Sequence, residues 1–546
     1  MSELNQPAKE QESFRQAMGW LHTWGGLVAS WALFTIFLTG TIGVFDEDIT
    51  HWMKPEVTAV SDFDPAAMTE QQRVDAIKKA QAYLQAHAPD SHFWRIGLPT
   101  ETDPGIRVSW RDQQNTAQDT LLSLKTGEPM PVVENRETEG GHHFVHMHYE
   151  FHAGMAGIWF VGFFTMIMLV ALISGIIIHK RIFKDFFTFR QKKGQRSWLD
   201  GHNASAVLTL PFQLMIAYTG LVIFLSIYMP AGVLANYSNP QQFFAELLDE
   251  PMHRPETGVH ADVVDLSVLF QRAEVMMGKP GRFMSVEHPG DSSGVTKVFG
   301  WFDEKDYYGQ LLRDEIGNVQ FDATNGDVMN LNPPGEYDKG TPMAVQRVMR
   351  IMHFANFGGY SIRWLYFIMG MAGALMMATG AILFLVKRRQ KSLNEFGAQT
   401  ARVYRVIEVL NIAAISGLAV ACIGYFWLNR LIPVDIADRA AWEIKGFFYL
   451  WLLMLFHSAC RPATKAWFEQ WSLFTLLALL LPVMNLITTG HWLVSYWQTG
   501  DWVSVGFEVT VLVFGLMSLG LVLFLRHKLT ATERYSQPAK PSEAIS

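Results

Sequence analysis

Histidine is the residue type in this 546-residue chain whose positions indicate metal chemistry. His22, His179 and His202 lie near one end of long apolar segments, and His152 and His353 lie near the other end of such segments. Histidine is costly in hydrocarbon unless it has a partner or a metal. Neutral imidazole is a common axial ligand of haem, and facing helices can supply one ligand each. The two layers of histidines therefore predict two b-type haems stacked across a bilayer.

Spacing restricts which histidines can share a haem. His152 and His179 are separated by a whole apolar helix, about 40 Å at 1.5 Å per residue, so they cannot belong to one site. His179 adjoins Lys180 and is the most interfacial histidine of its layer. We therefore expect His22 with His202 as the inner pair, and His152 and His353 as the outer ligands. The alternative is that these histidines only anchor helix ends.

A further knot of histidines precedes the second apolar segment. His142 and His146, and likewise His148 and His152, are four residues apart. On a helix each pair would share a face and could hold Zn²⁺ or Cu²⁺. A structural or solvent-facing role suits His142 and His143 equally well. His148 is a spare candidate for the outer haem.

Arginines and glycines near these histidines have two interpretations each. Arg15 and Arg196 on the inner side, and Arg363 on the outer side, could pair with haem propionates or anchor the helices to lipid headgroups. Glycines recur in the first, second and fourth spans, for example at Gly25, Gly175 and Gly380. They indicate close helix packing, with direct contact to a flat macrocycle as the alternative.

The elements that must position these residues are membrane helices. The chain is 49% hydrophobic and 17% charged, and its two long polar stretches have ordinary globular composition. We predict a mainly α fold, a polytopic bundle of about eight spans with two α+β domains on the outer side. Basic loops at 180–196 and 387–391 should be cytoplasmic, which places both termini in the cytoplasm. The predicted order is 1–45 head and span 1, 46–150 first soluble domain, 151–229 spans 2 and 3 with a basic loop, 230–352 second soluble domain, 353–390 span 4, 400–530 four further spans and 531–546 tail.

Several chemistries are absent from the sequence. Cys422 and Cys460 are its two cysteines, which excludes an iron–sulfur cluster, and no CxxCH motif could attach a c-type haem. No GxGxxG motif follows a strand, so we expect no built-in dinucleotide domain. No basic stripe suggests nucleic acid. The spans are read as lacking intramembrane carboxylates, which argues against a permease.

Four motifs of this chain resemble motifs of a known protein family. The motifs are RQAMGWLHTWGG, HYEFHAGMAG, HKRIFKDFFTFRQKKGQRSWLDGHN and MHFANFGGYSIRW. Over about residues 14–390 the chain resembles PepSY-associated transmembrane proteins, also called iron-regulated membrane proteins, which include FoxB-like and PiuB-like ferric-siderophore reductases. The resemblance implies a bacterial inner-membrane protein with periplasmic PepSY-like domains, two b haems and reduction of ferric siderophores. It carries the histidine motifs onto His22, His152, His202 and His353, with His179 matching in longer members. Spans five to eight exceed the minimal pattern.

The leading hypothesis is a transmembrane electron conduit. A cytoplasmic or quinol donor would supply electrons, and a periplasmic ferric siderophore would receive them. One alternative is a siderophore or metal permease that uses histidines as coordination or proton sites. The other is a membrane-anchored PepSY binding or inhibitory module.

Overall fold

The computed structural model describes residues 6–56, 67–100, 105–111, 116–130, 136–178, 195–238, 243, 254–301, 317–334, 341–396 and 398–536. The chain forms two compact units. The first takes its residues from 1–55, 136–218 and 363–546, and the second from 56–135 and 219–362. Two predicted site residues fall outside the description, since His179 and the side chain of Arg196 are not among the described positions.

Helices account for most of the described chain. They are α1 (Gln6–Gly43), α2 (Asp46–Met53), α3 (Glu70–His87), α4 (His142–Tyr149), α5 (Gly154–Ile178), α6 (Gln195–Ile223), α7 (Leu225–Tyr228), α8 (Ala231–Asn236), α9 (Leu266–Met277), α10 (Thr341–Phe354), α11 (Gly359–Phe396), α12 (Ala398–Ile412), a π-helix (Ala413–Gly417), α13 (Leu418–Leu431), α14 (Arg439–Cys460), α15 (Ala463–Thr489), α16 (Leu493–Thr499) and α17 (Trp502–Ser536). The strands are β1 (Phe93–Gly97), β2 (Ile106–Arg111), β3 (Ala117–Leu122), β4 (Gly281–Glu287), β5 (Val295–Gly300), β6 (Asn318–Asp322) and β7 (Val328–Asn332).

Seven of the described helices are long and apolar enough to cross a bilayer, so the chain is a multi-pass membrane protein. Their apolar segments are Phe14–Gly43, Gly154–Ile178, Ser197–Ile223, Gly359–Val386, Ala401–Leu431, Ala463–Thr489 and Trp502–Leu529. Eight spans were predicted, and the one that is not among these seven is the sixth in chain order; it corresponds to α14, which does not reach the same hydropathy. Glu443, Lys445 and His457 lower the mean hydropathy of that helix.

The second unit is built on one antiparallel sheet with the strand order β3-β2-β1-β4-β5-β6-β7. The two polar stretches were expected to form separate α+β domains, but they share this sheet because β1 pairs with β4. Trp94 lies opposite Val286 in that pairing. Each half consists of a helix followed by strands, and α3 and α9 cover the apolar face of the sheet.

Turns with glycine occur in both halves of the sheet. Gly127 lies in the turn after β3 and has φ +77°, and Gly326 lies between β6 and β7 and has φ +75°. Glycine suits both positions because a left-handed φ carries no Cβ penalty there. The two halves therefore share a local pattern of a strand followed by a turn with a left-handed glycine.

The core of the first unit joins the histidine-rich segment to the C-terminal helices. Phe144 and Met147 on α4 are fully buried, in the same apolar cluster as Trp52, Tyr425 and Phe426. The ring centroids of Phe144 and Tyr425 are 5.6 Å apart. Helix α4 is thereby fixed by side chains that lie far away in the sequence.

Candidate functional site

Two histidines of the first unit face each other. The ring centroids of His22 on α1 and His202 on α6 are 6.4 Å apart, with 65° between the ring planes. Nδ1 of His22 lies 2.9 Å from the carbonyl oxygen of Ala171, and Nδ1 of His202 lies 2.9 Å from that of Met376. A carbonyl oxygen can only accept, so each neutral ring donates through Nδ1 and carries its lone pair on Nε2.

This spacing fits a haem held between the two rings. Two imidazoles that ligate opposite faces of a metal through nitrogens at about 2 Å have centroids roughly 6 Å apart. Metal-bound histidines almost always donate their other ring N–H to a carbonyl, a carboxylate or water, which fixes the tautomer. His22 and His202 meet both conditions. The structure therefore brings together the two residues predicted as the inner pair.

Glycines of neighbouring helices leave room for these rings. A Cβ added at Gly175 of α5 would lie 3.2 Å from Cε1 of His22, and one at Gly380 of α11 would lie 3.1 Å from Cε1 of His202. A Cβ at Gly25 would meet nothing within 4 Å. Close contact with a histidine ring is thus specific to particular glycines, and it is a third role beside the two that the sequence suggested.

His148 on α4 has the same surroundings as the inner pair. Its Nδ1 lies 2.8 Å from the carbonyl oxygen of Ile36, and a Cβ at Gly40 would clash with its ring. Burial lowers the pKa of His148, and the hydrogen bond to Ile36 opposes this only in part. The ring is therefore neutral at pH 7, as a metal ligand must be.

His353 shows a related arrangement within the second unit. It lies in the last turn of α10, and its Nδ1 is 3.0 Å from the hydroxyl oxygen of Thr219. A Cβ at Gly220 would approach its Cε1 to 2.9 Å. His353 thus has a glycine beside its ring, like the other histidines, but a threonine hydroxyl contacts its Nδ1 where the others have a backbone carbonyl.

His152 has different surroundings from His148. Its backbone is left-handed, with φ +52°, and Phe151 before it has the same value. Its Nε2 lies 2.9 Å from Nδ1 of His143, and its ring is stacked on that of His143. The predicted outer ligand therefore belongs to a cluster of imidazoles, whereas the spare candidate His148 resembles the inner pair.

That cluster also contains the predicted extra metal residues. The rings of His142 and His146 are 4.9 Å apart, but each turns to a carboxylate. Nδ1 of His142 is 3.6 Å from Asp46, and Nδ1 of His146 is 2.5 Å from Glu150. Burial, followed by repulsion from His152 and His146, lowers the pKa of His143 well below its usual value. Over the described residues, no three ligands of this cluster are close enough together for one metal ion.

The predicted propionate partners contact protein groups. Arg15 donates from Nη2 to the carbonyl oxygen of Ile178 at 2.8 Å, which caps the end of α5. Nη1 of Arg363 lies 3.6 Å from a carboxylate oxygen of Asp48. Both side chains thus lie at helix ends, which also agrees with the alternative prediction that they anchor the helices to lipid headgroups.

The sequence reading missed the buried ionic groups of the C-terminal helices. Nη1 of Arg439 lies 2.5 Å from Glu443, and both side chains are fully buried. Asn485 donates to the buried carboxylate of Glu508 at 2.8 Å. Glu508 lies within a span, so the expectation that the spans lack carboxylates is wrong. The signal was visible as isolated Arg, Asn and Glu residues in apolar runs.

A lipophilic cavity of about 580 Å³ lies beside the π-helix of the first unit. Its lining includes Trp31 of α1, Phe164 of α5, Ala414 of the π-helix and Trp451 of α14. The indole nitrogens of both tryptophans have protein acceptors, since Trp31 donates to Asn411 and Trp451 to the carbonyl of Ala413. π-helical turns are frequent at functional sites.

The fold and the histidines define a multi-pass membrane protein with a sheet-bearing unit and half-buried imidazoles that are anchored through Nδ1. The chain belongs to the family described as PepSY-associated TM region, whose model matches residues 19–387. It is also similar to the Uncharacterized protein PA4219 of Pseudomonas aeruginosa, at 23% identity over 384 residues. That match covers 64% of this chain and 93% of the relative. The family region includes the four backbone- or hydroxyl-anchored histidines and ends before α12.

Proposed function

We propose that this protein is a di-haem b reductase of the bacterial inner membrane that passes electrons to a periplasmic ferric siderophore and releases Fe(II). The observation that carries the proposal is the His22–His202 pair, with centroids 6.4 Å apart and both Nδ1 atoms on backbone carbonyls. Membership of the family of PepSY-associated TM regions supports it. Both termini are proposed to be cytoplasmic, as the basic loops predict.

When bound, haem would supply a one-electron Fe(III)/Fe(II) couple inside the bilayer. His22 and His202 would hold the inner group through Nε2. The carbonyl oxygens that accept from Nδ1 raise the basicity of these ligands and fix their rings. Both rings are half-buried, and their remaining contact with solvent would influence the potential.

The outer ligands are proposed from the sequence, with one refinement. His353 keeps its place as an outer ligand. For the other, we propose His148 ahead of His152, because His148 has a carbonyl anchor, a facing glycine and a neutral ring. Counting haems in the variants His148→Ala and His152→Ala distinguishes these two candidates. The second haem should be lost only in the variant that lacks its ligand.

The substrate class follows from the chemistry of iron. Siderophores bind Fe(III) through hard oxygen ligands, and Fe(II) is softer and held more weakly, so one electron per iron favours release. The donor is proposed to be a quinol or a cytoplasmic protein. The lipophilic cavity beside the π-helix favours a quinol, because it is lined by α1, which carries His22.

The decisive experiment uses untagged, purified full-length protein. A pyridine haemochrome assay should count two haems, and dithionite should shift the Soret and α bands reversibly. Adding a ferric siderophore to the reduced protein under anaerobic conditions should reoxidise it, with Fe(II) trapped by a chromogenic chelator. Protein that binds no haem, or that stays reduced with every ferric siderophore tried, would contradict the proposal.

A permease is the second candidate, and the buried carboxylate of Glu508 is the observation that favours it. Uptake of labelled siderophore into proteoliposomes without any reductant, abolished by Glu508→Gln, would support transport instead of reduction. A binding or inhibitory module predicts a third result, in which histidine substitutions leave the biological activity unchanged.

A further inference from the structure

Three side chains of the second unit bring metal-ligating atoms together beside the start of β1 and the end of β4, two central strands of the sheet. They are His92, Glu256 and His288, and one ligand atom from each lies within 4.8 Å of the other two. Nδ1 of His92 is 3.2 Å from Oε2 of Glu256. His92 and Glu256 are exposed and His288 is half-buried, with both of its ring nitrogens shielded from solvent. A cation would therefore meet His92 and Glu256 first and reach His288 after small side-chain movements.

The two histidines are held in register by the pairing that joins the halves of the sheet. His92 directly precedes β1 and His288 directly follows β4. The register Phe93↔Glu287 places these histidines next to each other, and the amide of His288 donates to the carbonyl of His92 at 2.9 Å. The backbone therefore fixes the distance between the two Cα atoms before any metal binds.

The segment that carries Glu256 is anchored to the turn that follows His288. One carboxylate oxygen of Asp291 accepts from the amide of Thr257 at 3.1 Å and from its hydroxyl at 2.8 Å. The amide of Asp291 in turn donates to the carbonyl of His288 at 3.1 Å. Glu256 is thus adjacent to a residue whose position depends on the backbone of the second ligand.

We propose that His92, Glu256 and His288 form a binding site for a divalent first-row transition cation. Two imidazoles and one carboxylate suit Zn²⁺ and Fe²⁺, whereas Mg²⁺ and Ca²⁺ prefer sites made of oxygen ligands alone. Bonds of about 2.1 Å around such an ion require ligand atoms roughly 3 to 3.5 Å apart. The widest separation among the three ligand atoms is at most 4.8 Å and would have to shorten by roughly 1 to 2 Å, which rotation of the exposed side chains of His92 and Glu256 allows.

The site would join the two halves of the sheet. His92 belongs to the first half, while Glu256 and His288 belong to the second. A bound ion would therefore cross-link strands β1 and β4 and stabilise the seam at which they pair. The group depends on no haem and on no reductase activity, so the site is independent of the function proposed above.

The test measures metal binding to the untagged full-length protein in detergent. After treatment with EDTA, the protein is dialysed to equilibrium against Zn²⁺, and against Fe²⁺ under anaerobic conditions, and bound metal is counted by mass spectrometry. The double variant His92→Ala/His288→Ala should bind one equivalent fewer than the wild type. The control variant His87→Ala/His260→Ala removes two exposed histidines of the same unit and should bind as much as the wild type.

A second variant protects the test against misfolding. Glu256→Gln changes one exposed oxygen and should weaken Zn²⁺ binding at least tenfold, while the thermal unfolding of the metal-free protein stays the same. Zn²⁺ should raise the unfolding temperature of the wild type and not that of the double variant. Equal binding by the wild type and the double variant, or displacement of Zn²⁺ by an equal concentration of Mg²⁺, would overturn the proposal.

Discussion

The histidine-bearing helices and the C-terminal helices of the first unit bury polar groups in different ways. In α13 and α14, Arg439 and Glu443 neutralise each other, and Asn429 donates to the same carboxylate at 2.8 Å. His22 and His202 instead place two imidazole rings opposite each other, each anchored through Nδ1. An ion pair is held together by the attraction of its own charges, whereas two facing imidazoles are held together only when both bind a metal between them. The difference separates a structural network from a candidate cofactor site.

The C-terminal network also holds the segment that leads into α4. Nη1 of Arg439 donates to the carbonyl oxygen of Glu137 at 2.8 Å. The hydroxyl of Tyr425 donates to the carbonyl oxygen of Gly140 at 3.1 Å. The guanidinium of Arg430 lies 3.9 Å from the ring centroid of Trp52. Helices beyond the family region therefore brace the helix that carries His148.

The largest expected effect comes from removing a ligand. His202→Ala should eliminate the inner one of the two proposed haems, because the variant lacks one of the two imidazoles proposed to hold it. The matched control is His457→Ala in α14, where Nε2 of His457 lies 2.8 Å from Glu469. That variant should keep both haems in a pyridine haemochrome assay. Equal haem loss in both variants would contradict the assignment of haem binding to the histidine-bearing helices and not to the C-terminal helices.

Breaking the buried ion pair should destabilise the protein without removing the inner haem. Arg439→Ala leaves the charge of Glu443 buried and uncompensated, which costs about 3–5 kcal/mol of unfolding free energy. The double variant Arg439→Met/Glu443→Leu removes both charges and should recover much of that loss. Unfolding followed by tryptophan fluorescence checks the ranking, and an equally unstable double variant would contradict it.

Filling a glycine beside a ligand should have a smaller effect. Gly380→Ala places a Cβ 3.1 Å from Cε1 of His202, and such overpacking typically costs about 1–3 kcal/mol. We expect weaker retention of the inner haem and a shifted midpoint potential in a redox titration. Gly25→Ala meets nothing within 4 Å and is the control. Identical titrations for the two variants would show that the glycine contact has no influence on the site.

The smallest effect concerns pH. Burial opposes ionisation of Asp501, but hydrogen bonds from His51 and Ser504 outweigh it and lower the pKa of this carboxyl. Its stabilisation is therefore fully present above the unfolded value of about 3.9 and is lost as pH falls through the lower folded pKa. At pH 6, Asp501→Asn should reduce the free energy of unfolding by about 1 kcal/mol, which appears as a lower unfolding temperature. The difference in stability between the variant and the wild type should shrink below about pH 4. A constant difference across this range would count against the ion pair.

Some of this architecture could be predicted from sequence and some could not. Long apolar runs revealed the spans, and histidine positions along them brought His22 and His202 together. The choice between His148 and His152 was hidden, because it depends on a left-handed turn at Phe151 and His152 that no glycine marks. Pairing of β1 with β4 was hidden too, since backbone hydrogen bonds between distant segments leave no local pattern. The roles of the four anchored histidines as haem ligands stay predictions.

The shared sheet has a consequence for biosynthesis. Strand β1 ends at Gly97 and its partner β4 begins at Gly281, so two membrane helices are made between them. At about 5–20 residues per second, the first half waits roughly 10–40 s with an unpaired edge strand. Such edges invite aggregation. We therefore expect the nascent chain to be most prone to aggregation in the interval before β4 is made and completes the sheet.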